Sequence, residues 1–206
     1  MCMCKDSMCK YFKMINEFQD EEYFYGLLAY SIAPTIFREK PSSLIVFNNG
    51  ERKLLKIWDE AKEKVCNFFN IKYFELHRYE KGAIVLFYKE DLLRKTLANR
   101  ENAVFMNENG YRRQWSLNNK LYLLRNRYKN GCPHEIGIFL GYPVKDVESF
   151  INCPNKKCLV CGYWKVYNDL EKAEETFNRF NTRKEKVISL IMSGIHPTKI
   201  LQYCNP

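Results

Sequence analysis

Two blocks in the second half of the chain hold the residues best suited to chemistry. The first reads Pro133-His134-Glu135-Ile136-Gly137-Ile138-Phe139-Leu140-Gly141. Wound as a helix at about 100° per residue, it puts His134, Gly137 and Gly141 on one side and Ile136, Phe139 and Leu140 on the other. Glycine costs about 1 kcal/mol relative to alanine inside a helix. Two in one short helix therefore point to something that approaches its backbone closely. The expectation is a bare groove with an imidazole at its upper end. His134 would donate, accept or ligate there, near the positive end of the helix. Glu135 would orient the ring or act as a base. The competing reading is tight packing of this strip against another element, with His134 as a cap.

The second block is Tyr163-Trp164-Lys165-Val166-Tyr167. Read as a strand, it puts Tyr163, Lys165 and Tyr167 on one face and Trp164 with Val166 on the other. Facing the first block, it would form one wall of a cleft for a small anionic ligand or cofactor. The ligand-binding candidates are His134, Glu135, Gly137, Gly141, Tyr163 and Lys165. The alternative leaves Trp164 as a core anchor. The pattern names no reaction and no catalytic residue.

Other constellations compete. Cys153, Cys158 and Cys161 lie in a segment whose C-x2-C-G has the shape of a zinc knuckle. Zinc needs four ligands in a structural site, and a second C-x2-C is missing. These thiols would then serve a metal- or redox-responsive protein, or be reduced side chains beside a strand. Cys2, Cys4 and Cys9 near the N-terminus could capture soft metals, or be exposed thiols. His134-Glu135 is not followed by the second histidine of a zinc protease. Cys132 and His134, two residues apart on one turn, would not face each other as a nucleophile and its base. Residues 100–129 carry seven basic side chains against Glu101 and Glu108, interleaved with Tyr111, Trp115, Tyr122 and Tyr128. Such a segment can bind phosphates and stack bases, so a nucleic-acid or protein-interaction module built on 112–129 is a third reading. The bland one buries the aromatics and solvates the charges. No glycine-rich phosphate loop is present, which disfavours ATP hydrolysis and Rossmann-type dinucleotide binding.

The elements that must position these residues follow from periodicity. The chain has 206 residues, 46% hydrophobic and 28% charged, with a net charge of +9. That is a globular composition, not a disordered one. No apolar run reaches the roughly 18 residues of a membrane span. The N-terminus lacks the apolar core of a secretory signal. The expectation is a cytoplasmic protein with reduced thiols. Residues 1–9 read as a loose cysteine-rich tail, and 10–206 as a single α+β domain. Apolar spacing predicts helices over 10–31, with a break near Gln19-Asp20, and over 51–69, 90–100, 115–129, 133–140, 143–151 and 169–193. Asp169 caps the last, and Gly194 with Pro197 stops it. Strands are predicted at 43–47, 73–79 and 83–88, with a further one at 158–167. The β-α-β-β order implies a parallel crossover and then an antiparallel hairpin, hence a small mixed sheet covered by helices.

Several blocks also carry a resemblance. They are Ala33-Pro34-Thr35 with Lys40-Pro41-Ser42-Ser43-Leu44; Pro133 to Pro143 with Asp146-Val147 and Phe150; and Gly162-Tyr163-Trp164-Lys165-Val166-Tyr167. Together they span roughly residues 20–185. They resemble an uncharacterised family, labelled a domain of unknown function and found mainly in anaerobic bacteria. The resemblance implies a bacterial cytosolic protein and carries no established activity. The family usually has an aromatic or apolar residue where this chain has Cys132, which speaks against a catalytic thiol there.

Overall fold

The strand Gly82–Tyr88 (β3) explains the architecture. Its sequence, Gly-Ala-Ile-Val-Leu-Phe-Tyr, is apolar on both faces. Such a strand belongs in the middle of a sheet that is covered on both sides. In the computed structural model, which describes residues 5–203, β3 lies between β1 (Ser42–Asn48) and β2 (Lys72–Tyr79). It pairs antiparallel with both, Ser42 opposite Tyr88 on one side and Lys72 opposite Tyr88 on the other. The expected mixed sheet is therefore corrected to an antiparallel one. The strands and the crossover between β1 and β2 are as predicted, but β3 inserts between the two parallel strands. A register shift between Glu75 and His77 marks a bulge in β2.

Helices cover both faces. On one face Phe47, Val85 and Phe87 share a core with α1 (Lys5–Asn16), α2 (Asp20–Ser31), α4 (Leu54–Phe69) and α10 (Leu170–Met192). Trp58 of α4 is fully buried there, stacked 5.1 Å from Phe47. On the other face Leu76, Leu86 and Tyr88 pack with α5 (Glu90–Ala98), α6 (Arg100–Glu108) and α7 (Leu117–Tyr128). The same core takes in α8 (Ile136–Phe139) and α9 (Val144–Asn152). The short helix α3 (Ala33–Ile36) leads into β1, and a 3-10 helix over Pro197–Tyr203 closes the described chain. The whole packs as one α+β domain with a long C-terminal helix.

Most predicted elements are present, with specific corrections. Helix α1 begins at Lys5, so residues 5–9 of the expected loose tail are helical; Cys2 and Cys4 lie outside the described residues. Helix α6 was not anticipated; it starts from Asn99, whose side chain accepts from Glu101 N. Asp169 does cap α10, accepting from Lys172 N, and Gly194 follows it at φ +87°. The single strand expected at 158–167 is instead a hairpin of β4 (Val160–Cys161) and β5 (Lys165–Val166).

Candidate functional site

The first block does not form the continuous helix expected over 133–140. His134 and Glu135 sit in a turn, and α8 is a single turn of helix. Its end is closed by Gly141 N bonding Ile138 O at 3.0 Å and Tyr142 N bonding Gly137 O at 2.9 Å. Gly141 takes φ +79°, the left-handed conformation that glycine supplies at a helix C-terminus. Three ties fix this segment. Ser42 Oγ donates to Phe139 O at 2.7 Å. Tyr111 Oη donates to Glu135 Oε1 at 2.9 Å. Arg127 Nη1 reaches the same carboxylate oxygen at 2.5 Å.

The glycine strip is filled by the protein itself. A Cβ on Gly141 would lie 2.7 Å from Pro41 Cδ, and one on Gly137 would lie 2.7 Å from Val147 Cγ2. The two glycines let Pro41, just before β1, and Val147 of α9 approach the α8 segment. They do not form an empty groove, so the sequence argument for a guest beside bare backbone is overturned.

A cavity nevertheless exists beside that strip, between the 132–137 segment and the β4–β5 hairpin. Its volume is about 370 Å³, at the small end of the range for ligand sites. Helix α9 presents one face to it through Asp146, Val147 and Phe150, spaced i, i+1, i+4. Tyr142 and Ile136 add apolar wall, and Cys132, Pro133 and His134 come from the turn. Trp164 and Lys165 close the other side. Both reach it because Gly162 N bonds Trp164 O at 3.0 Å, a turn that breaks the alternation expected of a strand.

Asp146 organises this wall. It is 4% exposed. Its Oδ2 accepts Trp164 Nε1 at 2.8 Å. Its Oδ1 accepts Tyr167 N, Asn168 N and Asn168 Nδ2 at 2.9, 3.1 and 2.8 Å. Both oxygens are thus occupied, and the carboxylate is spent on structure. Lys165 and His134 are exposed and sit at the rim. Lys165 Nζ lies 5.3 Å from the centroid of the Phe150 ring. The His134 ring meets the same ring edge-on at 5.1 Å. Neither side chain has a hydrogen-bond or ion-pair partner among the described residues.

A family model described as "Protein of unknown function" matches residues 28–201. The chain belongs to the DUF3793 family. No curated protein and no solved structure matches it. In this DUF3793 chain the matched span contains every residue that lines the cavity.

Of the six residues proposed from sequence, the DUF3793 structure gathers His134, Gly137 and Lys165 at the cavity. Glu135 points into the second core toward Arg127 and Tyr111, because a buried carboxylate needs those donors. Gly141 lies against Pro41. Tyr163 turns away, donating to Asn181 Oδ1 at 2.8 Å and packing on Phe177 and Phe180. Asp146, Val147 and Phe150 were missed as site residues, although their helical spacing was a readable signal.

The competing sites do not assemble. Among the described residues no group of three or more His, Cys, Asp or Glu side chains could hold a metal ion. Cys153, Cys158 and Cys161 are free thiols, Cys158 partly buried and the others exposed. Leu159 N already bonds Val166 O at 2.7 Å, so the chain enters the hairpin extended instead of wrapping an ion. The basic segment is partly consumed inside the fold. Arg125 Nε donates to Glu75 O at 2.7 Å, and Arg127 serves Glu135. No helix among the described residues is long and apolar enough to cross a membrane.

Proposed function

We propose that the cavity binds a small organic anion with a flat apolar body. Phe150, Trp164 and Tyr142 offer ring surfaces for that body, and Ile136 with Val147 completes the apolar wall. Lys165 would pair with the acid group, and His134 would add a hydrogen bond to it. One observation carries this reading. The lysine stands at the rim of an apolar cavity whose single lining carboxylate, Asp146, is already saturated by four donors. An anion would supply the direct partner that the Lys165 ammonium lacks, since neither oxygen of Asp146 is free to reach it.

Benzoate and its neutral analogue benzamide, titrated calorimetrically, test it. A charge-assisted hydrogen bond contributes about 1.5–3 kcal/mol, so benzoate should bind at least about tenfold tighter. Lys165→Met should erase the preference. Equal binding of the two, or a preference that survives Lys165→Met, would overturn the reading.

A further inference from the structure

The bulge in β2 builds a second cleft, beside α7. Strict alternation would put Tyr73, Glu75 and His77 on one face of the strand. The register shift instead seats His77 opposite Ile84, which packs against the second core. Bulges re-aim side chains in this way. His77 thus joins Leu76 on the face that α7 covers. Arg78 turns to α4, bonding Asp59 Oδ1 and Oδ2 at 2.7 and 3.0 Å. The cleft between strand and helix has a volume of about 390 Å³. It is lined by Glu75, Leu76, His77 and Arg78 of β2, by Arg125 of α7 and by Lys129 at the end of that helix.

The acid in this lining is engaged, while two of the cations are not fully so. The Glu75 carboxylate accepts Trp58 Nε1 at 3.2 Å and Arg78 Nε and Nη2 at 2.9 and 2.8 Å. The Glu75 backbone oxygen accepts Arg125 Nε at 2.7 Å. That bond fixes the guanidinium, whose carbon lies 4.4 Å from the Phe74 ring centroid and 5.6 Å from that of Tyr122. The two terminal amino groups of Arg125 and the Lys129 amine have no hydrogen-bond or ion-pair partner among the described residues. Residues 109–134 contain six basic side chains and no acidic one, so the local potential attracts anions. Exposed rings adjoin two of the lining residues. Tyr122, 54% exposed, stands beside Arg125, and Tyr79, 41% exposed, stacks 5.9 Å from His77.

Cations set beside open rings suit a single strand, whose phosphates pair with the charges while its bases lie on the rings. A duplex keeps its bases stacked inside and cannot use the rings. We propose that the cleft between β2 and α7 binds a single-stranded polynucleotide, with a phosphate at Arg125 and Lys129 and a base on Tyr122. This is not the module expected over 112–129. Arg127 turns inward to Glu135, and most of the lining comes from the bulged strand. The proposal does not depend on the reading of the Lys165 cavity.

Fluorescence anisotropy with labelled oligothymidylate and oligouridylate of about twelve nucleotides is the direct probe. Both carry the shared chemistry, and the tighter of the two shows which sugar the cleft prefers. A DNA duplex of the same length should bind more weakly than either. Tyr122→Ala should weaken single-strand binding by about fivefold or more, the loss of one stacked base, and leave duplex binding unchanged. Lys129→Met should reduce the slope of log affinity against log salt by about 0.7, the loss of one phosphate contact. Both side chains are exposed, so neither change threatens the fold, whereas Arg125→Met would also cut the tie to β2. Lys172→Met, at an exposed lysine of α10, should leave affinity and slope at their wild-type values. No binding of either single strand would overturn the proposal. So would a duplex bound as tightly, or wild-type affinity in Tyr122→Ala together with a wild-type salt slope in Lys129→Met.

Discussion

The indole Nε1 of Trp164 donates to Asp146 Oδ2 at 2.8 Å, joining the β4–β5 hairpin to the first turn of α9. Through this bond one buried carboxylate sets the position of an aromatic wall of the cavity, while its other oxygen holds the backbone of Tyr167 and Asn168. Removing it strands buried donors, each costing about 1–3 kcal/mol. Asp146→Ala should therefore lower unfolding stability by on the order of 3 kcal/mol, read as a shift of the urea midpoint. Trp164→Phe leaves a single acceptor site empty and should cost less. A near-neutral Asp146→Ala would show that the hairpin is held by its apolar contacts alone.

Glu135 and Arg127 make a comparable tie in the second core. The Glu135 side chain is 7% exposed and that of Arg127 34%. Arg127→Met leaves the carboxylate buried without its cation, a loss of about 3 kcal/mol or more. Chemical denaturation measures it. Exposed His134, which directly precedes Glu135 in the same turn, behaves differently: His134→Ala should leave the melting temperature nearly unchanged while weakening binding in the cavity.

The close approaches at α8 predict intolerance to a single methyl group. Gly137→Ala places its Cβ against Val147 Cγ2 and should cost about 1–3 kcal/mol by overpacking. Gly137→Ala combined with Val147→Ala should show positive coupling, because the second change removes the clash. Gly141→Ala meets Pro41 and adds the penalty of a left-handed backbone, about 1–2 kcal/mol. Additive effects at Gly137 and Val147 would contradict the packing account.

Stability should rise with pH above neutrality through Lys40. Its folded value lies near 7 and its unfolded value near the ordinary one. Between the two the unfolded chain binds more protons, so stability climbs as pH rises. Below about pH 7 both forms are protonated and the full burial penalty applies. Lys40→Met should flatten this slope in melting curves taken from pH 6 to 10. An unchanged slope would show that the amine is not titrating in that window.

Much of this was legible in local pattern. Helices α4, α7 and α10 declare themselves by apolar spacing, and Asp169 and Gly194 mark the limits of the last. The strands were readable too, but their pairing order was not. It depends on β3 being apolar on both faces and therefore central, a preference that a βαβ connectivity rule does not weigh. Helix α6 buries few residues, chiefly Phe105 and Met106, and left little periodic trace. At the site, the proximity of the 133–137 segment to Lys165 was anticipated for a reason that fails. The glycines serve Pro41 and Val147, and the open space is made by the side chains of α9 and the hairpin. Glu135 was misassigned because its partner Arg127 comes from the end of α7, a tertiary contact that no local spacing reveals. Alternation misplaced Tyr163 and separated Trp164 from Lys165, since a two-residue strand after a tight turn need not alternate.

A crystal soaked with 4-iodobenzoate tests the central claim most directly, because iodine is located by its anomalous signal. The account predicts one ordered molecule, its ring between Phe150 and Trp164 and its carboxylate toward Lys165 and His134. Iodine bound elsewhere, or a carboxylate turned away from Lys165, would contradict it.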